Sequence, residues 1–300
     1  MRNADEIKDL VLSFAGSDDR VRAVLLNGSR ANPNLEPDRF QDFDVLFMVT
    51  HLESFIINHA WIDFFGRKIV WQMPEEMNLG ENYSQEKSVS FSYLMQFDDG
   101  NRIDLTLFPK DKLTIDFQPD SLTVLWLDKD DLFANLPPPS DKDYHVKKPT
   151  QKEFSDVCNE FWWVSTYVAK GLLRNEITYA KEMLEIVVRP MFMKMIAWKI
   201  GLENNFSVNV GKAGKFFKNY LSEEFNRDIL QTYSNADIEE NWKSLFKMAE
   251  IFRQTSNKTA RKMNFQLDKI EQQRTLACLK KWYGKNANKS VSESQKSLQM

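Results

Sequence analysis

The sequence predicts an α+β fold, with an N-terminal domain of strands and helices followed by an all-helical C-terminal domain. Short apolar and β-branched runs that are typical of strands are concentrated before residue 135. A stretch from Asn135 to Thr150 then holds four of the ten prolines, together with many charged and polar residues. Beyond it, apolar residues recur at the spacing of amphipathic helices as far as Gly284.

The elements of the N-terminal domain follow from local patterns taken in chain order. A first helix is predicted in DEIKDLVLSFAG and ends at Gly16, and a second one in ESFIINHAWIDFFG ends at Gly66. The segment from Asp98 to Asn101, DDGN, carries a hairpin turn signal between two strands. The predicted strands are VRAVLLNGS, DFDVLFMVT, RKIVWQM, SVSFSYLMQF, RIDLTLF and LTVLWLD.

Helical patterns dominate the rest of the chain. Helices are predicted in EFSDVCNEFWWVSTYVAKGLL and TYAKEMLEIVV, and the second continues into RPMFMKMIAWKIG past a proline that should break or kink it. The last residues are polar and poor in aromatics, which is typical of a frayed terminus. The predicted organisation is an N-terminal domain (1–135), a linker (136–150), a helical domain (151–284) and a disordered tail (285–300).

Composition restricts the classes of function. The net charge of −3 and the pI near 5.8 argue against a large polyanionic partner, so we expect no nucleic acid ligand. Two cysteines, Cys158 and Cys278, form neither a disulfide framework nor a metal-binding pair. The N-terminus has no apolar signal region, and no apolar run reaches the ~20 residues of a membrane helix. We therefore expect a soluble, cytoplasmic protein.

Carboxylates in predicted strands give the first indication of chemistry. In DFDVLF, Asp42 and Asp44 project to the same side of a strand, while Phe43 and Val45 project to the other side. Two carboxylates on one face repel each other unless a cation lies between them. Because Mg²⁺ takes oxygen ligands and often keeps substrate phosphates in its coordination shell, this pattern favours a magnesium site.

A third carboxylate fits the same geometry. Asp104 lies between Ile103 and Leu105 in an otherwise apolar strand, where an unpaired carboxylate would be costly. Upstream, the first predicted strand ends in Gly28 and Ser29, a pair that alone predicts nothing more than a turn. A Gly-Ser turn, a strand Asp-x-Asp and a later strand Asp form a more specific combination.

This combination resembles the signature of the nucleotidyltransferase superfamily, in which the N-terminal sheet is mixed. The segments LNGSRANPN, QDFDVLFMV, NRIDLTLFP, EFWWVSTYVAKGL, VRPMFMKMIAWKIG and NVGKAGKFFK look like the aminoglycoside 6-adenylyltransferases, which adenylylate streptomycin. The likeness extends from Met1 to Gly284. The resemblance implies attack by a hydroxyl group of the acceptor on the α-phosphorus of ATP, a helical domain that binds substrate, and resistance to the antibiotic.

The resemblance also implies roles for residues of the N-terminal domain. Asp42 and Asp44 would hold two metal ions, with Asp104 on the ion nearer the nucleophile. Gly28 and Ser29 would lie where a strand turns into a helix, and free N–H groups there would attract the phosphates of ATP. Arg30 is the nearest fixed positive charge, and its alternative role is a surface ion pair.

The helical domain offers a general base and further phosphate contacts. Glu182 and Glu185 lie on roughly one helix face, but Glu185 has Arg189 four residues on, a spacing that favours an ordinary ion pair. Glu182 is therefore the predicted base, and its alternative role is a solvated helix carboxylate. Lys170 and Lys212 are candidates for phosphate contact, against the alternative of ordinary surface lysines.

Trp162 and Trp163 could line the nucleotide or sugar site, although the helical spacing assigns at least one of them to the core.

Three functions remain open at this point. The leading one is adenylylation of streptomycin with ATP and Mg²⁺. The second is adenylyl transfer to another small acceptor, such as a lincosamide or a different aminoglycoside. The third is a non-catalytic, antitoxin-like binding protein of the same fold. The sequence does not predict whether the protein is a monomer or a dimer.

Overall fold

The computed structural model describes residues 1–79 and 89–297 of the chain. It divides into two compact units, Met1–Asp143 and Tyr144–Met300, which we call the strand unit and the helical unit. The division lies within the segment 136–150 that the sequence predicts as a linker.

A six-stranded mixed sheet forms the centre of the strand unit. Strands β2 and β5 are parallel to each other, and every other neighbouring pair is antiparallel. Across the sheet, the strand order is β3-β4-β5-β2-β1-β6. The strands are β1 (Val21–Asn27), β2 (Phe43–Val49), β3 (Lys68–Gln72), β4 (Phe91–Phe97), β5 (Arg102–Pro109) and β6 (Thr123–Asp128). The prediction of an α+β fold with a mixed N-terminal sheet is confirmed.

One helix precedes the first strand, and two short helices lie in the connections between strands. The helices are α1 (Ala4–Ser17), α2 (Glu53–Ile56) and α3 (Leu113–Asp116). The helix predicted to end at Gly66 is divided into α2 and a 3-10 segment, His59–Phe65. The predicted hairpin turn between β4 and β5 is present, with Gly100 at a φ of +87°. Ser88, the first residue of the strand predicted as SVSFSYLMQF, lies outside the described residues.

The two faces of the sheet are buried differently. Phe43, Val45 and Phe47 of β2 face the larger core, where α1 packs against the sheet. Leu46 and Met48 face a smaller core on the opposite side. This second face is apolar only toward the end of β2, so its other end is available for polar side chains.

Among the described residues, the helical unit contains six α-helices, a π-helical turn and two short 3-10 turns, Lys212–Gly214 and Phe217–Asn219. The capping box between Thr150 and Glu153 fixes the start of the first helix, directly after Pro149. The π-helical turn, Met183–Val188, lies just before Pro190, where the sequence predicts a break or kink. The helices are α4 (Gln151–Leu173), α5 (Ile177–Glu182), α6 (Arg189–Glu203), α7 (Glu223–Leu230), α8 (Ile238–Met263) and α9 (Lys269–Ser297).

The last helix differs from the predicted tail. The backbone of α9 is helical to Ser297 and so covers most of the segment 285–300, which the sequence predicts to be disordered. No glycine or proline follows Gly284 to interrupt it. None of the helices in the described part of the chain is long and apolar enough to cross a membrane.

Candidate active site

Strand register brings the predicted carboxylates to one end of the sheet. Asp44 of β2 lies directly beside Asp104 of the parallel strand β5. Asp42 immediately precedes β2 and, two residues from Asp44, shares its face. Phe43 between them is 2% exposed and packs in the larger core. We call Asp42, Asp44 and Asp104 the carboxylate cluster.

A guanidinium group lies among these carboxylates. Nε and Nη2 of Arg102 each donate a hydrogen bond of 2.7 Å to the two carboxylate oxygens of Asp104. Nη1 lies 3.6 Å from Oδ2 of Asp42. The hydrogen bonds from the guanidinium group to Asp104 raise the pKa of Arg102, and the charges of all three cluster carboxylates contribute.

Arg102 is a residue that the sequence reasoning missed. The signal was present, because Arg102 and Asp104 are two apart in a strand, as Asp42 and Asp44 are, and therefore share a face. In their present positions, no three His, Cys, Asp or Glu side chains within residues 1–79 and 89–297 have the grouping of a metal site. In this arrangement the positive charge beside the cluster comes from Arg102.

The turn after β1 is packed against the cluster. Gly28 has a φ of +73°, and a Cβ atom added there would lie 2.1 Å from Oδ2 of Asp44. Only glycine therefore allows the backbone of the turn to approach this carboxylate so closely. The N–H of Gly28 donates to the carbonyl oxygen of Leu122 at 3.1 Å.

Two details of the predicted phosphate turn are different in the structure. The strand leads into a single 3-10 turn, Gly28–Ala31, and not into a longer helix. The N–H of Gly28 donates within the fold, so it is not one of the free N–H groups that the turn would offer to a phosphate. Ser29 is half-buried in the same turn and lines a cavity of about 520 Å³.

Arg30 holds the backbone that leads into β2. Its guanidinium group donates to the carbonyl oxygens of Gln41 at 2.7 Å and of Asp42 at 3.2 Å. It also stacks on the ring of Phe43, 3.8 Å from the ring centre. Burial lowers the pKa of Arg30 from its ordinary value. These contacts are to backbone oxygens and a ring, and so differ from the surface ion pair considered above.

A polar row continues from the cluster toward β6. Asn27 of β1 pairs with Asp44 on one side and with Thr123 of β6 on the other. The hydroxyl of Thr123 donates to the side-chain oxygen of Asn27 at 2.8 Å. The end of the sheet is thus polar over four adjacent strands, and the sequence analysis identified only the two aspartates of this row.

On the other side of the cluster the same face borders a cavity. The cavity measures about 650 Å³, and Arg102 forms part of its wall. Gln96, which pairs with Arg102 in the register of β4 and β5, and Gln72 also line it. Glu76 contributes a carboxylate to the same wall.

In the helical unit, the two candidate glutamates have different surroundings. Glu185 accepts hydrogen bonds from Arg189, at 3.0 Å from Nη2, and from Lys181 at 3.2 Å. Burial alone would raise the pKa of Glu185, but these two basic partners outweigh it and lower the pKa. Glu182 is exposed at the end of α5, and its side chain has no hydrogen bond or ion pair to another described residue.

The remaining candidates of the helical unit lie on its surface. Lys170 is exposed, with its ammonium group 5.7 Å from the centre of the Tyr167 ring. Lys212 is exposed at the start of a 3-10 turn, Lys212–Gly214. Trp163 is 58% exposed, whereas Trp162 is 1% exposed and belongs to the core, as the helical spacing indicated for at least one of the two.

A Gly-Ser turn lies beside aspartates on neighbouring strands of a mixed sheet, the arrangement that the resemblance to the nucleotidyltransferases implies. A family model described as streptomycin adenylyltransferase matches residues 1–282. The aminoglycoside 6-adenylyltransferase of Bacillus subtilis (strain 168) is 44% identical over 257 residues, covering 85% of this chain and 89% of that protein. The protein of the same name from Campylobacter jejuni is 43% identical over 266 residues, covering 89% of this chain and 91% of its own.

A crystal structure of an aminoglycoside 6-adenyltransferase from Bacillus subtilis is 36% identical, with a TM-score of 0.46; the match covers 94% of this chain and 99% of that one. Family model and relatives agree over most of the chain. The chain therefore belongs to the streptomycin adenylyltransferase family, that of the aminoglycoside 6-adenylyltransferases, and is an adenylyltransferase.

Proposed function

We propose that this chain transfers AMP from ATP to a hydroxyl group of streptomycin and thereby gives resistance to the antibiotic. The observation that carries the proposal is the register that sets Asp44 beside Asp104, with Gly28 packed against Asp44. The description of the matching family, which names streptomycin, supports this acceptor. We place the reaction in the cytoplasm, where ATP is available.

Adenylyl transfer forms one bond and breaks one. The acceptor oxygen bonds to the α-phosphorus of ATP, the bond from that phosphorus to the bridging oxygen breaks, and pyrophosphate leaves. The carboxylate cluster would hold Mg²⁺, because its donor atoms are all oxygens, the ligands that this ion prefers. When bound there, Mg²⁺ would stabilise negative charge on the attacking and leaving oxygens. We assign Asp104 to the ion nearer the acceptor.

Glu182 is the proposed general base that takes the proton of the acceptor hydroxyl. A base needs a carboxylate that is accessible and not held by a permanent partner. Glu182 is exposed at the end of α5, while Glu185 is bound by Arg189 and Lys181. The difference between their surroundings supports Glu182 over its neighbour.

The phosphates of ATP are assigned to the turn after β1. Gly28 allows close approach of the backbone, and the Ser29 hydroxyl can donate to a phosphate oxygen. Lys170 and Lys212 are proposed as additional phosphate contacts, since both ammonium groups are exposed. Arg30 acts indirectly, because its guanidinium group is bound to the backbone that carries Asp42.

Mass spectrometry of streptomycin after incubation with the protein, ATP and Mg²⁺ tests the proposal. We expect an adduct with the mass of one AMP, released together with pyrophosphate. Asp42→Asn and Asp104→Asn should each reduce product formation by more than about 10²-fold, a larger loss than removal of an outer-shell partner causes. Asp63→Asn, which removes an exposed carboxylate paired with Lys68 at 2.5 Å, is the matched control. Full activity of Asp42→Asn or Asp104→Asn would refute the metal assignment.

A panel of acceptors separates the remaining alternatives. If labelled AMP is transferred to another aminoglycoside or to a lincosamide but not to streptomycin, the proposed acceptor is wrong while the chemistry stands. If ATP and Mg²⁺ bind without transfer to any acceptor, the non-catalytic alternative replaces the enzyme.

A further inference from the structure

The contacts of Arg102 have a consequence for the proposed metal site. Nε and Nη2 of its guanidinium group each donate to one carboxylate oxygen of Asp104 at 2.7 Å, and Nη1 lies 3.6 Å from Oδ2 of Asp42. These are the same oxygens that the proposed function assigns to Mg²⁺. The bidentate guanidinium group occupies one lone pair on each oxygen of Asp104 and places a positive charge beside them, so it competes with a metal ion for this carboxylate.

Electrostatics explains why a cation belongs at this position. Three carboxylates on one end of the sheet repel one another, and Asp44 and Asp104 are direct neighbours in register. A bidentate, charge-assisted pair offsets this repulsion and fixes the direction of the carboxylates. Arginine does not lose its proton in proteins, so the guanidinium group can give up this position only by moving.

The surroundings of Arg102 provide a place to which it can move. The side chain is 39% exposed and forms part of the wall of the 650 Å³ cavity beside the cluster. Gln96 and Glu76 line the same cavity, and both carry oxygens that can accept a guanidinium hydrogen bond. Rotation about the side-chain bonds of Arg102 would exchange one set of oxygen acceptors for another.

We propose that Arg102 is a displaceable counter-ion that holds the carboxylate cluster in place before the metal binds and leaves it when the metal–ATP complex enters. The proposal rests on the assignment of Mg²⁺ to the cluster in the proposed function. Arg102 then acts as a positioning residue that competes with a metal ion alone. The phosphates of ATP supply additional metal ligands, and this added affinity displaces the guanidinium group.

The test is a titration of the protein with Mn²⁺ in the absence of nucleotide. Electron paramagnetic resonance measures the concentration of Mn²⁺ that remains free. Arg102→Met removes the charge and the fork but keeps an unbranched chain, and we expect it to bind Mn²⁺ at least about tenfold more tightly than the unaltered protein, about 1.4 kcal/mol. Arg102→Lys retains a charge without the bidentate fork and should fall between the two. Arg67→Met is the control for net charge, since Arg67 is 87% exposed and its nearest carboxylate, at 3.9 Å, is Asp98.

Thermal unfolding gives a second measurement that does not depend on activity. In EDTA, Arg102→Met should unfold at a lower temperature than the unaltered protein, because repulsion within the cluster is no longer offset. Addition of Mg²⁺ should raise its Tm by more than it raises that of the unaltered protein. If Arg102→Met does not fold, Arg102→Lys is compared with the unaltered protein in the same two measurements.

The outcomes separate this inference from the proposed function. Mn²⁺ affinity that is equal or weaker in Arg102→Met would overturn the role of Arg102, while binding of Mn²⁺ with ATP to the unaltered protein would leave the metal assignment intact. If the unaltered protein binds no Mn²⁺ even with ATP, the metal assignment fails and the role of Arg102 fails with it.

Discussion

Substitution of Gly28 by alanine is the most direct test of the geometry that the structure gives to the site. The backbone at Gly28 has a φ of +73°, which alanine adopts only at a cost of about 1–2 kcal/mol. The added Cβ would lie 2.1 Å from Oδ2 of Asp44 and 3.0 Å from its Cγ. The carboxylate end of a side chain can rotate, so we expect Asp44 to move while the strand stays in place.

The size of the effect follows from these two contributions. Moving Asp44 away from its preferred rotamer adds about 0.5–1.5 kcal/mol to the backbone cost. The total of about 1.5–3.5 kcal/mol corresponds to a decrease in Tm of about 3–14 °C for a unit of this size. Adenylyl transfer should decrease by about 10²-fold or more, because misplacement of a catalytic group by about 1 Å has effects of that order.

Gly16→Ala is the matched control. Gly16 lies in the last turn of α1, and an added Cβ has no atom within 4 Å. The control should leave activity unchanged and keep the Tm the same or slightly higher, since alanine favours helix. Rate measurements with labelled ATP and streptomycin, together with thermal unfolding of both variants, complete the experiment. Activity of Gly28→Ala within twofold of the unaltered protein would refute the close approach of the turn to Asp44.

Three further predictions concern the helical unit. Glu182→Gln should abolish most of the transfer activity and leave the Tm unchanged. Glu185→Gln should lower the Tm, because it breaks the ion pair with Arg189. If instead Glu185→Gln abolishes the activity and Glu182→Gln lowers the Tm, the two assigned roles are exchanged. The pKa of Glu185 is lowered in the folded state, so its stabilisation is present above the unfolded value near 4.3 and is lost as the pH falls below it. Urea unfolding at pH 3–7 should therefore show a steeper loss of stability in acid for the unaltered protein than for Glu185→Gln. Burial raises the pKa of the Cys158 thiol to about 12, whereas Cys278 is partly exposed. A thiol reagent at pH 8 should therefore label Cys278 before Cys158. Equal labelling rates of the two cysteines would contradict the buried position of Cys158.

The sequence predicted side-chain positions correctly wherever the repeat of a strand or a helix fixes the direction in which side chains point. Alternation along a strand placed Asp42 and Asp44 on one face and Phe43 in the core, and the structure has this arrangement. The i,i+4 spacing predicted the pair of Glu185 with Arg189, which is also present. Such predictions need no knowledge of distant contacts, because the local backbone determines them.

Features that depend on contacts between distant segments were not predicted. The hydrogen bond from the Gly28 N–H to the carbonyl oxygen of Leu122 forms only because β6 lies beside β1. No local sequence pattern reveals this strand order. Arg30 donates to the carbonyl oxygens of a loop that lies more than ten residues further along the chain. The residues next to Arg30 in the sequence do not indicate these partners. The roles of Arg102, Asn27 and Thr123 depend in the same way on strand order.

Strand order also explains how stability and chemistry are separated on one face of the sheet. The parallel pair of β2 and β5 starts at the end where β1 finishes, so Asp44, Asp104 and Asn27 meet in one row. Further along β2 the same face carries Leu46 and Met48, which pack in the smaller core. Shortening one of these two side chains should therefore lower the Tm with little effect on the transfer reaction, since the apolar end anchors the strand and the polar end carries the proposed chemistry.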